Sequence, residues 1–285
     1  MLEKSYTLLT GASEGLGKAL ALECAKRGMN LLLVALPQSG LGNLAGFIRK
    51  NFPVAVLAFE MDLSDPGSCQ QLFEEVNSKG ICLQMLINNA GIGGTVLFGE
   101  SGTEYYEKQI KLNVLATTIL TRLFLGNLER NSPSYILNVG SMASFFFLPK
   151  KQVYGATKSY IHYFSKSLRK EVRRNGIQVC VLCPGGVNTN LSVTLLNRTG
   201  SWLSKQAVLD PEQVAEIAIN GLLKGRPVII PGMINNLFML LDKLLPEFIK
   251  TRITSYGMNQ LRPEHHFLEL LKKGAAPPVS VGRVA

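Results

Sequence analysis

Thr10-Gly11-Ala12-Ser13-Glu14-Gly15-Leu16-Gly17 follows a short apolar run, Tyr6–Leu9, and leads into a segment of helical period, about Gly15–Arg27. Glycines at these positions permit a tight turn and a close backbone approach. A helix that starts there offers its free N–H groups and the positive end of its dipole to a pyrophosphate. By itself the cluster also reads as a glycine-rich β–α turn with no ligand, so its meaning depends on what surrounds it.

Outward from the turn, short apolar runs alternate with longer segments of helical period. Tyr6–Leu9, Asn30–Ala35, Val54–Phe59, Leu83–Ile87, Tyr135–Val139, Gln178–Leu182 and Val228–Ile230 are continuous rather than alternating, which predicts strands buried on both faces. Between them the period predicts helices over about Gly15–Arg27, Leu41–Asn51, Ser64–Ser78, Thr103–Arg130, Gln152–Arg174 and Pro211–Lys224. Asp210-Pro211-Glu212 is a helix start, with Asp at the N-cap and Pro at the first helical position. Regular β–α–β alternation predicts an α/β fold: one doubly wound parallel sheet with helices on both faces.

The chain of 285 residues is 46% hydrophobic and 18% charged, which excludes disorder for its bulk and allows one sizeable core. Five scattered cysteines do not make a disulfide framework, and the Met1-Leu-Glu-Lys-Ser-Tyr start lacks a secretory pattern. A reduced, cytoplasmic setting is expected. Cys180-x-x-Cys183 lies in and just after a strand with no second pair, so both are expected in the core and no metal site is assigned.

The net charge of +10 is uneven: residues 1–142 carry 11 basic and 12 acidic side chains, and residues 143–285 carry 19 and 8. No recognition motif accompanies the basic half, so nucleic acid is not expected as a partner. Lys166, Arg169, Lys170, Arg173 and Arg174 are spaced as a largely solvated helix face.

Further motifs follow the glycine turn in order. Asn88-Asn89-Ala90-Gly91 closes the fourth strand, and Asn113 lies in the following helix. Ser141 follows the fifth strand, Tyr154-Gly-Ala-Thr-Lys158 opens the next helix, and Pro184-Gly185-Gly186-Val187-Asn188-Thr189 follows the sixth strand. Tyr154 and Lys158 are one helical turn apart on one face. A neighbouring ammonium favours phenolate, which predicts a lowered Tyr154 pKa and a group able to exchange a proton. The Ser141 hydroxyl is placed to hydrogen-bond a carbonyl or alcohol oxygen. Over roughly residues 5–230 this set resembles the classical short-chain dehydrogenase/reductases.

The resemblance implies a Rossmann-type sheet and an NAD(P)-dependent oxidoreductase that interconverts a ketone and a secondary alcohol. It implies Tyr154 as general acid or base, and Lys158 as the group that tunes it and binds the nicotinamide ribose. Ser141 would polarise the substrate oxygen, and Asn113 would hold a water linking Lys158 to solvent. For the cofactor it implies Gly11, Ser13, Glu14, Gly15, Leu16 and Gly17 at the pyrophosphate and Asp62 with Leu63 at the adenine. Asn89, Ala90 and Gly91 would lie by the adenosine ribose, Val187 and Thr189 would hold the carboxamide, and Pro184 and Gly185 would also contact the cofactor. The family often forms dimers or tetramers, so a homo-oligomer is expected.

At the end of the second strand stands Val34-Ala35-Leu36-Pro37-Gln38-Ser39. A carboxylate there would bind the 2′-hydroxyl of NAD(H) and an arginine the phosphate of NADP(H). The missing carboxylate favours NADP(H), with Ser13, Gln38 and Ser39 as possible donors, while Glu14 opposes a phosphate. Ser144-Phe-Phe-Phe-Leu-Pro149 together with Leu191, Val193, Leu195, Leu196, Trp202 and Leu203 predicts an apolar pocket with a lid. The alternative is that these residues only pack a loop against the core. Expected domain limits are 1–232 for the cofactor-binding catalytic unit, 233–273 for an apolar-basic helical extension and 274–285 for a mobile tail. The extension holds Lys243, Lys250, Arg252, Arg262, Lys272 and Lys273, and is suited to a membrane surface, the pocket mouth or an oligomer contact; the alternative is a helix packed on the domain or on a sister subunit. A competing function is a non-catalytic dinucleotide-binding sensor on the same fold.

Overall fold

The computed structural model describes residues 5–189, 194, 207–244 and 252. Seven strands form one parallel sheet: β1 (Tyr6–Thr10), β2 (Asn30–Ala35), β3 (Val56–Glu60), β4 (Leu83–Asn88), β5 (Ser134–Val139), β6 (Ile177–Leu182) and β7 (Val228–Ile229). Their order is β3-β2-β1-β4-β5-β6-β7, so the chain reverses its direction of travel across the sheet between β1 and β4. Loops leaving those two strands diverge and open a crevice at the C-terminal edge, where ligands of such sheets bind.

The helices are α1 (Gly15–Lys26), α2 (Leu41–Asn51), α3 (Pro66–Ser78), α4 (Thr103–Ile110), α5 (Thr117–Arg130), α6 (Gln152–Val172), α7 (Pro211–Leu223) and α8 (Met233–Leu244). Strand side chains alternate between two cores. Leu9, Leu31, Leu33, Ile87, Leu137 and Leu182 meet α1, α2 and α7, while Leu8, Leu32, Leu86, Ile136 and Val179 meet α3, α5 and α6. Each fully buried leucine contributes on the order of 1.5–3 kcal/mol before conformational entropy is counted. That is why the runs are apolar without alternation.

The expected strands and helices are present, with shifts at their ends. β3 begins at Val56 rather than Val54, and the Val56 carbonyl accepts from the Arg49 guanidinium at 2.8 and 3.1 Å. α3 begins at Pro66 because Asp65 caps it, accepting from the Gly67 N–H at 3.0 Å. The long helix expected over Thr103–Arg130 is interrupted by a π-helical turn, Lys111–Ala116, that contains Asn113. Such widened turns occur often at functional sites.

Arg169 departs from the expected solvated face: its guanidinium donates to the carbonyls of Val179 and Gly225, each at 2.8 Å, tying α6 to β6 and to the turn before β7. Lys166, Lys170, Arg173 and Arg174 are exposed, as expected. Cys180 and Cys183 are both buried in the core. Among the described residues no helix is long and apolar enough to cross a membrane. Leu191, Val193, Leu195, Leu196, Trp202 and Leu203 lie outside the described residues, as do Lys250, Arg262, Lys272, Lys273 and the tail 274–285.

Candidate functional site

The glycine turn is fixed by what it excludes. Gly11 and Gly15 have φ of +66° and +51°, a region that favours glycine. A Cβ on Gly17 would fall inside the van der Waals shell of the Gly11 carbonyl oxygen, so glycine there lets α1 begin directly beneath the turn. Glu14 is the N-cap of α1 but makes no side-chain capping bond, and it is exposed. The first N–H groups of α1 are therefore not taken by a side-chain cap, which suits an anion.

Asn89 and Thr10 hold this turn against β4. The Asn89 amide donates to the Thr10 and Gly11 carbonyls, both at 3.0 Å, and Thr10 Oγ1 accepts from the Asn89 and Ala90 N–H groups, also at 3.0 Å. The contribution of Thr10 is invisible in the sequence, because its hydroxyl acts across the sheet.

A second group of residues meets at the ends of β4, β5 and β6. Asn113 is buried; its carboxamide accepts from the Ile92 N–H and donates to the Ile92 carbonyl, each at 2.9 Å, and donates to Thr157 Oγ1 at 3.1 Å. Gly91 fits between Asn113 and Lys158: a Cβ there would stand 2.9 Å from Asn113 Oδ1 and 3.5 Å from Lys158 Nζ. Lys158 is 6% exposed and donates from Nζ to the Val139 carbonyl at 2.8 Å. Its Nζ is 5.8 Å from the centre of the Tyr154 ring, and Lys151 Nζ is 5.3 Å from it on another approach. Ser141 Oγ accepts from the Ala143 N–H at 3.1 Å.

The electrostatics differ from the expectation for Tyr154. Burial pushes its phenol up from the ordinary value; a hydrogen bond with the Ser141 hydroxyl pulls it partly back, and the Cys183 thiol adds to the rise. Burial also pushes Lys158 down, to about 8. The same desolvation that acts on the phenol thus weakens the cation expected to lower it. Cys183, expected in the core, is buried there beside this group with its thiol pushed up to about 12 by burial.

Asp62 and Leu63 lie at the other end of the crevice. Asp62 Oδ1 accepts from the Ser64 N–H and hydroxyl at 2.9 and 2.7 Å, and Oδ2 pairs with Lys108 at 3.5 Å. Burial opposes its ionised form, but these partners outweigh it and hold the carboxyl below its usual value. Leu63 is buried in the core. At the end of β2, Leu36 is 48% exposed, Gln38 has φ of +59°, and Ser39 Oγ is buried with no partner among the described residues.

The loop after β6 joins the two ends of the crevice. The Pro184 carbonyl accepts from the Met142 N–H at 2.9 Å, next to Ser141. A Cβ on Gly15 would stand 2.8 Å from Thr189 Cβ, so Thr189 covers the glycine turn. Val187 pairs in parallel with Leu209. The aromatic run after Ser141 divides: Phe145 packs on Ile161, Val181 and Cys183 with its ring edge to His162, while Phe147 is 82% exposed. Phe145 therefore packs in part against the small core cluster that includes Cys183, beside the Tyr154–Lys158 group.

Comparison with known proteins gives a consistent picture. A family model described as short chain dehydrogenase matches residues 5–199. An NADP-dependent 3-hydroxy acid dehydrogenase of Schizosaccharomyces pombe is 31% identical over 235 residues, covering 80% of this chain and 91% of that protein. A very-long-chain 3-oxoacyl-CoA reductase of Caenorhabditis elegans is 32% identical over 257 residues, covering 87% and 78%. Among solved structures, a short-chain dehydrogenase from Sphingobium yanoikuyae in complex with NADPH has a TM-score of 0.71 at 26% identity, covering 99% of this chain and 98% of that one. A bulky-bulky ketone specific alcohol dehydrogenase from Comamonas testosteroni has a TM-score of 0.72 at 26% identity, covering 84% and 91%.

Proposed function

This chain belongs to the short-chain dehydrogenase family of oxidoreductases, and on that premise we propose that it interconverts a ketone and a secondary alcohol with NADP(H) as hydride partner. The observation that carries the proposal is the meeting of Ser141, Tyr154 and Lys158 at the sheet edge whose other end is the glycine turn.

The residues present suit a nicotinamide dinucleotide. Gly11, Gly15 and Gly17 leave a cradle that side chains would fill, and the start of α1 has N–H donors for a pyrophosphate. Ser13, Glu14 and Leu16 complete that turn. Asp62 and Leu63 are assigned to the adenine end, Asn89, Ala90 and Gly91 to the adenosine ribose, and Val187 and Thr189 to the carboxamide, with Pro184 and Gly185 as further cofactor contacts. NADP(H) is preferred because no carboxylate ends β2; the NADP-dependent relative supports this choice. When bound, the nicotinamide supplies or accepts the hydride.

The chain's own residues handle the proton and the orientation. A phenol whose pKa is raised keeps its proton at neutral pH, so Tyr154 Oη donates it to the nascent alkoxide in reduction, and the phenolate left behind takes a new proton from solvent before the next turnover. The Ser141 hydroxyl hydrogen-bonds the same substrate oxygen. Lys158, with one N–H on the Val139 carbonyl, has further donors for ribose hydroxyls, and its charge stabilises the phenolate left after proton donation. Asn113 holds the Ile92 backbone and Thr157 in place, which positions the Tyr154–Lys158 turn.

An apolar substrate and a homo-oligomer complete the proposal. The relatives named for long-chain oxoacyl and bulky ketone substrates favour the first. Exposed Ile110, Tyr160 and Tyr163 on α4 and α6 favour the second. Fluorescence titration with NADPH and NADH, followed by turnover on aliphatic, steroidal and 3-oxoacyl thioester ketones, tests it. NADPH binding with hydride transfer to at least one of these is expected. Binding without turnover on any would leave the non-catalytic sensor.

A further inference from the structure

α8 lies wholly beyond the residues that the family model matches, yet its first turn packs against Gly185 in the loop after β6. Asn235 is 2% exposed, an unusual depth for an asparagine in a stretch otherwise dense in apolar residues. Its Nδ2 donates to the Pro231 carbonyl at 2.7 Å and to the Ala207 carbonyl at 3.1 Å. On the other side of the carboxamide, a Cβ on Gly185 would stand 2.6 Å from Oδ1 and 2.8 Å from Nδ2. One side chain thus touches two segments remote from it in sequence, the loop after β6 and the limb that returns at Ala207, and also the neighbouring turn after β7.

Those segments also bond one another. The Leu209 N–H donates to the Gly186 carbonyl at 3.0 Å, and the Asn188 N–H donates to the Leu209 carbonyl at 3.2 Å. Asn236, the next residue, donates from Nδ2 to the Ile230 and Gly232 carbonyls, each at 2.8 Å, and so fixes the entry to α8. The support is built from carboxamide bonds to the backbone at Ala207, Ile230, Pro231 and Gly232, and it packs against the loop after β6 at Gly185. The Asn235-Asn236 pair that breaks the apolar run in the sequence therefore has a specific task.

We propose that Asn235 is a positioning residue that anchors the loop Pro184–Thr189 and the limb Ala207–Leu209 to the start of α8, and so sets the geometry of the nicotinamide end of the cofactor site. The inference rests on the cofactor assignment of Pro184–Thr189 given above. It makes the extension after β7 a working part of the site. Asn235 touches neither Tyr154 nor Lys158 among the described contacts, so its effect falls on cofactor affinity and leaves the proton chemistry in place.

The test is Asn235→Ala in the full chain, read in three ways. Amide exchange in peptides covering 184–189 and 207–210 is expected to accelerate. The Kd for NADPH and the KM for the nucleotide are expected to rise about fivefold, as for the loss of one hydrogen bond. The pH profile of kcat is expected to keep its shape and inflection, because Tyr154 and Lys158 are untouched, whereas kcat itself is expected to fall by no more than the change in Kd. Gly185→Ala should weaken NADPH binding more in the wild-type background than in Asn235→Ala, where the vacated carboxamide leaves room for the methyl group. Should Asn235→Ala fail to fold, Asn235→Leu keeps about the same volume, removes the donor without burying a charge and is expected to act in the same direction. Unchanged exchange in both peptides, or a change in pH profile with nucleotide affinity intact, overturns the proposal. If the wild-type chain bound neither nucleotide, the proposed function would fall, while the exchange measurement would still decide whether Asn235 anchors these segments.

Discussion

The two ends of the crevice are built by opposite means. At the glycine turn the site consists of missing side chains and free backbone N–H groups: Gly11, Gly15 and Gly17 leave room, and Thr10 and Asn89 hold the backbone from behind. At the Tyr154–Lys158 turn the site consists of functional side chains held half-buried or buried, where desolvation moves both pKa values. A backbone cradle is insensitive to pH and tolerates no added atom. A side-chain site is tuned by its surroundings and fails by losing one functional group. Mutations at the first should therefore act on affinity, and at the second on rate.

Tyr154→Phe gives the sharpest separation. Turnover is expected to fall by on the order of 10²–10⁴, the usual share of a positioned general acid, with the NADPH Kd within about twofold by fluorescence titration, less than the loss of one hydrogen bond. A variant that kept the wild-type rate would break the division between the two ends. Gly17→Ala is the reverse case. Its Cβ has no room at the Gly11 carbonyl, so the turn must shift, at a stability cost of about 1–3 kcal/mol as in other overpacked sites. NADPH binding should be lost while the pH behaviour of any residual turnover is retained.

A pH profile sharpens the second end. Lys158 has a folded pKa of about 8, below its ordinary value of 10.5, so it loses its charge as pH rises through about 8. Ketone reduction at saturating NADPH is then expected to decline above that point, because the Tyr154 phenolate is no longer stabilised after donating its proton. Lys158→Met should remove the inflection together with most of the rate; an inflection that survives would assign it elsewhere. The smallest effect is expected from Ser165→Ala, beneath the site. Ser165 Oγ accepts from Asn138 Nδ2 at 2.9 Å and donates to the Ile161 carbonyl at 2.6 Å. Denaturant unfolding should show a loss of about 1–2 kcal/mol from the unsatisfied Asn138 donor, with little change in nucleotide affinity.

The parts of the site that were legible in the sequence are local ones. Tyr154 and Lys158 face the same way because a helix brings residues one turn apart together, and the glycine turn is readable because strand, turn and helix are contiguous. The contributions of Thr10 and Asn235 are not legible in the sequence, because each acts on a segment remote in the chain, and Cys183 is readable only as a core residue. The direction of Phe145 depends on how the loop after Ser141 folds back over α6, which sets its ring against His162, Ile161 and Cys183. Arg169 likewise looked solvated until the Val179 and Gly225 carbonyls came within reach.

Periodicity and turn chemistry determined the α/β order, the strand identities and the helix starts, because these depend on residues within one or two turns of each other. The tertiary structure decided the electrostatics of Tyr154 and Lys158 and the anchoring of the loop after β6. Burial and partners across the sheet set both, and neither is encoded at the residue concerned. The glycine turn that opens the fold is the link between the two levels. Its conformation is local, but Thr189 and Asn89, brought from far along the chain, give it the walls of a site.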